Sequence, residues 1–212
     1  MLNRNQKKIK KKNLENLISS VEILKNFEYF VFYGTLLGIV RENNIIEHDD
    51  DIDFLINIDH RDQVINKFKF SQIFEINNKV SNKFFIQLIN KTGDIETFVD
   101  FYFYINEPSK DYIVDKHNWM SSINVDSKAM HIPKKFIYPI KKNKNFFNVN
   151  VPQMPVEICK FLYGNNWSKT LRKNSAYRME IVNNRPMMIK RSFIGNLTRR
   201  VKQFFYNQYK KN

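Results

Sequence analysis

The 212-residue sequence contains one cysteine, Cys159. A single thiol excludes an internal disulfide and a cysteine-based zinc cluster, and it fits a reducing compartment. No apolar segment follows the basic amino-terminal stretch, so a secretory leader is not expected. The longest apolar stretch, Val31 to Val40, is broken by Gly34 and Gly38 and is too short to span a bilayer. No internal repeat is visible. Acid is scarce too: 21 Asp and Glu against 35 Lys and Arg leave a net charge of +14, which calls for an anionic partner. The basic residues lack the arginine–aromatic interleaving of RNA-binding signatures, so nucleic acid is not the expected one.

What is present is enough for a packed domain. Apolar residues make up 42% of the chain and aromatics 15%, which argues against disorder. The charge is unevenly distributed. Residues 1–12 hold six basic side chains and no acid, and residues 169–212 hold twelve against Glu180 alone. Between 42 and 62 the balance reverses to eight acids and one Arg. An acidic pocket in a basic molecule suits an enzyme that needs both a metal ion and a phosphate-bearing substrate.

Hydrophobic spacing predicts the elements around that pocket. Leu14, Leu17, Ile18, Val21 and Leu24 recur at helical intervals, giving an amphipathic helix over about 8–26. Phe30-Val31-Phe32 reads as a short buried strand ended by Gly34-Thr35, and Leu36 to Arg41 as a short helix with free amino-terminal N–H groups. Asn43-Asn44 is a turn. Ile52–Ile56, Phe84–Ile89 and Thr97–Tyr104 read as strands, with Asp59 as the N-cap of a helix running to Phe68. Residues 105–150 read as loop-rich, and Pro155–Tyr163 as a helix stopped by Gly164. Phe193, Leu197, Val201, Phe204, Phe205 and Tyr209 form an apolar stripe among Lys and Arg. That stripe suits a terminal helix lying on an anionic membrane or packed on the domain. The expected architecture is α/β (α+β), a mixed sheet flanked by helices with a small C-terminal lobe. The expected division is a catalytic domain over 1–173 and a basic extension over 174–212.

The chemistry concentrates in Asp49-Asp50-Asp51-Ile52-Asp53. On a strand, Asp51 and Asp53 point to the same side while Ile52 faces the core. Two bare carboxylates so close repel each other, and a hard, oxygen-seeking Mg²⁺ or Mn²⁺ resolves the conflict. Asp100 stands alone in the aromatic strand Phe98-Val99-Asp100-Phe101-Tyr102, where propensity disfavours it. It is the candidate third ligand for one or two metals, or the base for an incoming hydroxyl. Gly34 lets a phosphate approach the backbone, the Thr35 hydroxyl donates to it, and Arg41 either forks onto the same phosphate or pairs with Glu42 or Asp53. Asp49 is expected in support and Asp50 in solvent.

Tyr33-Gly34-Thr35-Leu36-Leu37-Gly38-Ile39-Val40-Arg41 together with Asp49-Asp50-Asp51-Ile52-Asp53 resembles the signature of the LicD family. A second block agrees: Phe136-Ile137-Tyr138-Pro139, Val151-Pro152, and Val156 through Tyr163-Gly164-Asn165-Asn166-Trp167 resembles that family's C-terminal pattern. Where the family usually carries Pro-Trp before the aspartates, this chain has Glu47-His48, and His48 either meets substrate phosphate or caps the turn. The resemblance implies a nucleotidyltransferase fold and metal-dependent transfer of phosphocholine or an alditol phosphate. The donor would be a CDP-conjugate and the acceptor a sugar hydroxyl of a surface glycan, lipid-linked in some cases. Trp119 or Tyr102 could cage a quaternary ammonium. The location expected is cytoplasmic, with peripheral contact to the inner face of an anionic membrane. Two other readings stay open: a nucleotidyltransferase that moves an NMP group, and a non-catalytic basic binding module.

Overall fold

A computed structural model describes residues 4–47, 49–117, 129–169 and 177–190. Its centre is a five-stranded mixed sheet in the order β1-β2-β5-β4-β3, built from β1 Tyr29–Val31, β2 Asp51–Asn57, β3 Phe74–Ile76, β4 Phe85–Asn90 and β5 Phe98–Tyr104. Only β2 and β5 run parallel; the other pairs are antiparallel. β2 and β5 are nearly continuous apolar runs, as strands covered on both faces must be.

The two faces have different cover. Helix α1 (Arg4–Leu24) and helix α3 (Arg61–Lys69) lie on the face lined by Phe54 and Phe101. There Phe68 stacks edge-on against Phe101 at 4.9 Å, and Phe27 meets His60 at 5.9 Å. The opposite face carries Asp53 and Asp100 and is covered by α2 (Tyr33–Glu42), against which α5 (Pro155–Tyr163) packs. α2 ends at Asn43, whose left-handed φ of 48° and backbone N–H to Gly38 and Ile39 close the last turn, as the Asn-Asn pair predicts. Gly38 is needed there, because a Cβ would lie 2.6 Å from the Asn44 carbonyl oxygen.

Several elements depart from expectation. Asp59 does not cap α3: Asn57 accepts the Asp59 N–H at the head of a 3₁₀ turn over Ile58–His60, and the α-helix starts at Arg61. Asn has the better geometry because it ends the strand, where an Asx turn closes the chain reversal. The 105–150 region is not all loop. It holds β6 (Tyr112–Asp115) paired with β7 (Met130–Pro133), the single turn α4 (Lys134–Ile137), and β8 (Lys141–Asn143) paired with β9 (Val149–Val151). Segments of three or four residues are too short for periodicity to register. Sequence patterning assigns no strands to 177–190, where β10 (Tyr177–Val182) and β11 (Arg185–Lys190) form a hairpin that packs on α5 and β7. The acidic strand β2 lies inside the sheet between β1 and β5.

A buried polar strut fixes α1 to one edge of the sheet. Asn16 donates to Thr97 at 3.0 Å and accepts from Asn90, and Asn13 donates to the Asp49 carbonyl at 2.8 Å. The Lys12 ammonium is held by the carbonyls of Asn90, Thr92 and Ile95. All of these groups sit where β2 and β5 begin. No helix among the described residues is long and apolar enough to cross a membrane. His48, Trp119 and the 193–209 stripe lie outside the described residues.

Candidate active site

The parallel register sets Asp53 directly opposite Asp100, so both side chains leave the sheet on one face. Asp51 joins them from two residues earlier. Carboxylate oxygens of Asp51, Asp53 and Asp100 all lie within 4.8 Å of one another. Asp53 and Asp100 are each only 5% exposed, whereas Asp51 is half-buried. The cluster therefore opens on the Asp51 side. Asp49, half-buried, lies over Gly34 beside it, and Asp50 is exposed.

Crowding shows in the acidities. Burial, and then the charges of Asp51, Asp100 and Asp49, push the Asp53 carboxyl well above its ordinary value, against the opposing Thr35 N–H. Burial likewise raises Asp100 to about 7, while its bond from Gln87 pulls the other way. Without a cation the cluster cannot hold all its charge. An all-oxygen donor set of three converging carboxylates, open on one side, suits a hard divalent ion that keeps water or phosphate oxygens in its remaining positions. The residues fit Mg²⁺.

Neighbouring groups hold the carboxylates in place. Thr35, 2% exposed, makes a reciprocal pair with Asp53: its hydroxyl oxygen accepts the Asp53 N–H at 2.8 Å, and its own N–H donates to Asp53 Oδ2 at 3.3 Å. The first turn of α2 thus aims a free N–H at a carboxylate, which favours its charged form. Gln87, cross-strand from Asp100, donates to Asp100 Oδ1 at 3.1 Å, and Asn77 fixes the Gln87 amide by donating to its oxygen at 2.8 Å. A Cβ on Gly34 would lie 2.5 Å from Asp49 Oδ2 and 3.3 Å from Asp53 Oδ2.

Gly34 and Thr35, the groups expected at phosphate, lie beside the carboxylates, where the Thr35 N–H donates to Asp53. Arg41 is not brought to the cluster. It lies toward the far end of α2, and its guanidinium pairs with Glu42 through Nη2 at 2.5 Å and Nε at 3.0 Å. At about 1.5 Å of rise per residue, it stands roughly 9 Å along the helix from Thr35.

Sequence reasoning missed a surrounding set of groups. Tyr33, strained at φ 40°, packs on Tyr102 at 4.8 Å and donates its hydroxyl to Asp115. Asp115 also accepts the His117 N–H at 2.9 Å, and burial raises its carboxyl to about 6. The His117 ring stacks on Phe85 at 4.1 Å, and burial lowers it to about 4, so it is neutral. Burial, then the charge of Asp53, holds the Tyr163 and Tyr102 hydroxyls well above their ordinary values, which places both rings beside the cluster. Tyr163 stands in the Tyr-Gly-x-x-Trp element that sequence analysis singles out. Gln87 could have been found as the one polar residue of Phe84-Phe85-Ile86-Gln87-Leu88-Ile89.

Residues 26–154 match the family model described as LicD/FKTN/FKRP, nucleotidyltransferase domain. The match begins before β1 and takes in Asp51, Asp53, Asp100 and Asp115. Proteins of that family are transferases of the phosphocholine and fukutin type. A search of curated proteins finds no significant match.

Proposed function

We propose that this chain, which belongs to the LicD/FKTN/FKRP nucleotidyltransferase-domain family, moves a phosphorylated small group, phosphocholine or an alditol phosphate, from a CDP-conjugate to a sugar hydroxyl. The observation that carries the reading is the convergence of Asp51, Asp53 and Asp100 on one face at the amino-terminal end of α2. Such transfers need little covalent chemistry from the protein; positioning and neutralisation of charge do most of the work.

Asp51, Asp53 and Asp100 would hold Mg²⁺. When bound, the ion supplies charge neutralisation at the donor pyrophosphate. Every other task falls to the chain. Thr35 and Gln87 keep Asp53 and Asp100 aimed at a common point. Gly34 keeps the overhang of Asp49 close to that point. Tyr33, Tyr102 and Tyr163 exclude water from the inner side, which strengthens each electrostatic contact in the site. The half-buried Asp51 marks the side from which the donor enters. Asp100 serves as a ligand in this reading, since Gln87 already occupies its Oδ1. A phosphate role for Arg41 would require it to leave Glu42.

The deciding experiment incubates the protein with Mg²⁺ and a panel of CDP-conjugates, with and without glycan acceptors, and measures CMP release. CMP release that depends on acceptor and is abolished in Asp53→Asn supports the reading. Consumption of CTP with release of pyrophosphate would instead make the protein a transferase of NMP groups. Full activity in Asp51→Asn and Asp53→Asn would reject a metal-carboxylate site.

A further inference from the structure

The strut that ties α1 to the sheet has a geometric consequence. Asn13 and Asn16 meet the sheet where β2 and β5 begin, and Phe27, after the helix, meets His60 beyond the end of β2. α1 therefore runs along β2, and the turns before the buried Lys12 project past the edge at which the carboxylates sit. The helix begins at Arg4, so the overhang is about 12 Å at 1.5 Å per residue. It carries Lys7, Lys8 and Lys11, all exposed, and Lys10, half-exposed. Its first turn contains no acid. Lys11 lies 3.9 Å from Glu15 one turn on, whereas Lys7 and Lys8 near the amino terminus oppose the macrodipole and cost stability, so folding alone does not account for them.

The same edge carries exposed apolar side chains. α3 runs back along the sheet beside α1 and delivers the turn before β3 to this edge, where the Lys91 N–H donates to the Ile73 carbonyl at 3.0 Å. In that turn Phe70 is 86% exposed and Ile73 37% exposed. Lys67 and Lys69 on the last turn of α3 are exposed around them. The β4–β5 turn contributes Asp94 and Glu96, whose charges act on the buried Lys12; the basic surplus lies beyond them on the overhang.

We propose that this edge is a docking surface for an anionic lipid bilayer, with Lys7, Lys8 and Lys11 against the headgroups and Phe70 and Ile73 inserted beneath them. The apolar pair selects the occupant. A soluble polyanion would use the lysines and leave a side chain as exposed as Phe70 without purpose, whereas cationic and aromatic groups together are what an interface takes. Docking in this way turns the mouth of the carboxylate cluster toward the lipid surface. The surface does not depend on the transferase reading, although a lipid-linked acceptor would explain its placement.

The test is co-sedimentation of the full chain with vesicles of phosphatidylcholine alone or with about 30% phosphatidylglycerol. Each lysine near an anionic surface contributes about fivefold in partitioning. The triple charge reversal Lys7→Glu, Lys8→Glu, Lys11→Glu is expected to lower binding to anionic vesicles by at least a hundredfold. Phe70→Ser, which touches no core, is expected to lower it about tenfold, in line with the loss of one buried aromatic. Wild-type binding by either variant overturns the proposal. Loss in the triple variant with full binding by Phe70→Ser overturns it in favour of a soluble polyanion. CMP release measured without vesicles does not involve these side chains, so failure of that assay alone counts against the transferase reading and not against the surface.

Discussion

Replacing Thr35 by Val is nearly isosteric and removes one oxygen. That oxygen accepts the Asp53 N–H at 2.8 Å in a place only 2% exposed. Water cannot take over, so the strand amide is left unpaired, at a cost of about 2 kcal/mol. In a chain of this size each kcal/mol is about 2–4 °C, so Thr35→Val is expected to melt roughly 4–8 °C below wild type with no metal added. Thr35→Ser keeps the oxygen and loses one methyl, about 0.8 kcal/mol, and should melt only about 2–3 °C below wild type. Because the same residue orients Asp53, Thr35→Val should also weaken Mn²⁺ binding, followed by the loss of the free-ion signal in electron paramagnetic resonance. The two substitutions separate the roles a hydroxyl can have here. If Thr35→Val melts with the wild type and only the KM for donor rises, Thr35 is a phosphate ligand and the strand-pinning argument is wrong.

Gly34→Ala places a Cβ 2.5 Å from Asp49 Oδ2; alanine favours the helix by about 1 kcal/mol, so stability should hold while Mn²⁺ affinity, read by titration, falls about tenfold. Gln87→Leu removes the donor to Asp100 Oδ1 and should weaken Mg²⁺ binding about 10- to 100-fold by calorimetry, the range for groups that orient metal ligands. The folded Asp100 carboxyl sits at about 7, above its ordinary 3.8. In the metal-free protein its stabilising contribution is thus fully present below pH 3.8 and is lost as pH rises toward 7. The melting temperature of Asp100→Asn should therefore gain on metal-free wild type over that window, and the rise caused by Mg²⁺ in wild type should grow with it. His117 has the opposite sign. Its folded value of about 4 lies below the usual 6.5, so its contribution is present above pH 6.5 and lost as pH falls toward 4. His117→Phe should flatten the acid side of the stability profile measured by thermal denaturation.

The parts legible in the sequence are those with a period or a turn residue. The spacing of Leu17 and Leu24 gives α1, Asn43 ends α2, Gly164 ends α5, and alternation along β5 puts Asp100 and Tyr102 on one face, with the family resemblance supported by the match over 26–154. Alternation also aligns Asp51 with Asp53. What it cannot give is the partner across a strand pair. That Asp100 stands opposite Asp53 depends on a parallel register, which in turn depends on the β3–β4 excursion between them. Gln87 stands out as the polar residue of its strand but not as the partner of Asp100, and Asp115 is invisible because it acts through Tyr33, distant in sequence. The Thr35 hydroxyl reads in the sequence as free on a helix amino terminus, and only the strand packed against that terminus shows that it accepts the Asp53 N–H.

The location of the charge follows from competing costs. Burying Asp53 and Asp100 side by side is unfavourable, and the shifts of both carboxyls record it. The fold offsets part of that cost with the Thr35 N–H, the amide of Gln87 and the first turn of α2. None of these is a full positive charge, and α2 itself brings only Arg41, which is committed to Glu42. Had a lysine or arginine from α2 filled the cluster, the carboxylates would be satisfied and a divalent ion would gain little by binding. In the reading proposed above, keeping the compensation to dipoles would leave the strongest interaction to a divalent ion arriving with substrate phosphate. The raised acidities of Asp53 and Asp100 thus record a cluster whose charge these dipoles only partly offset.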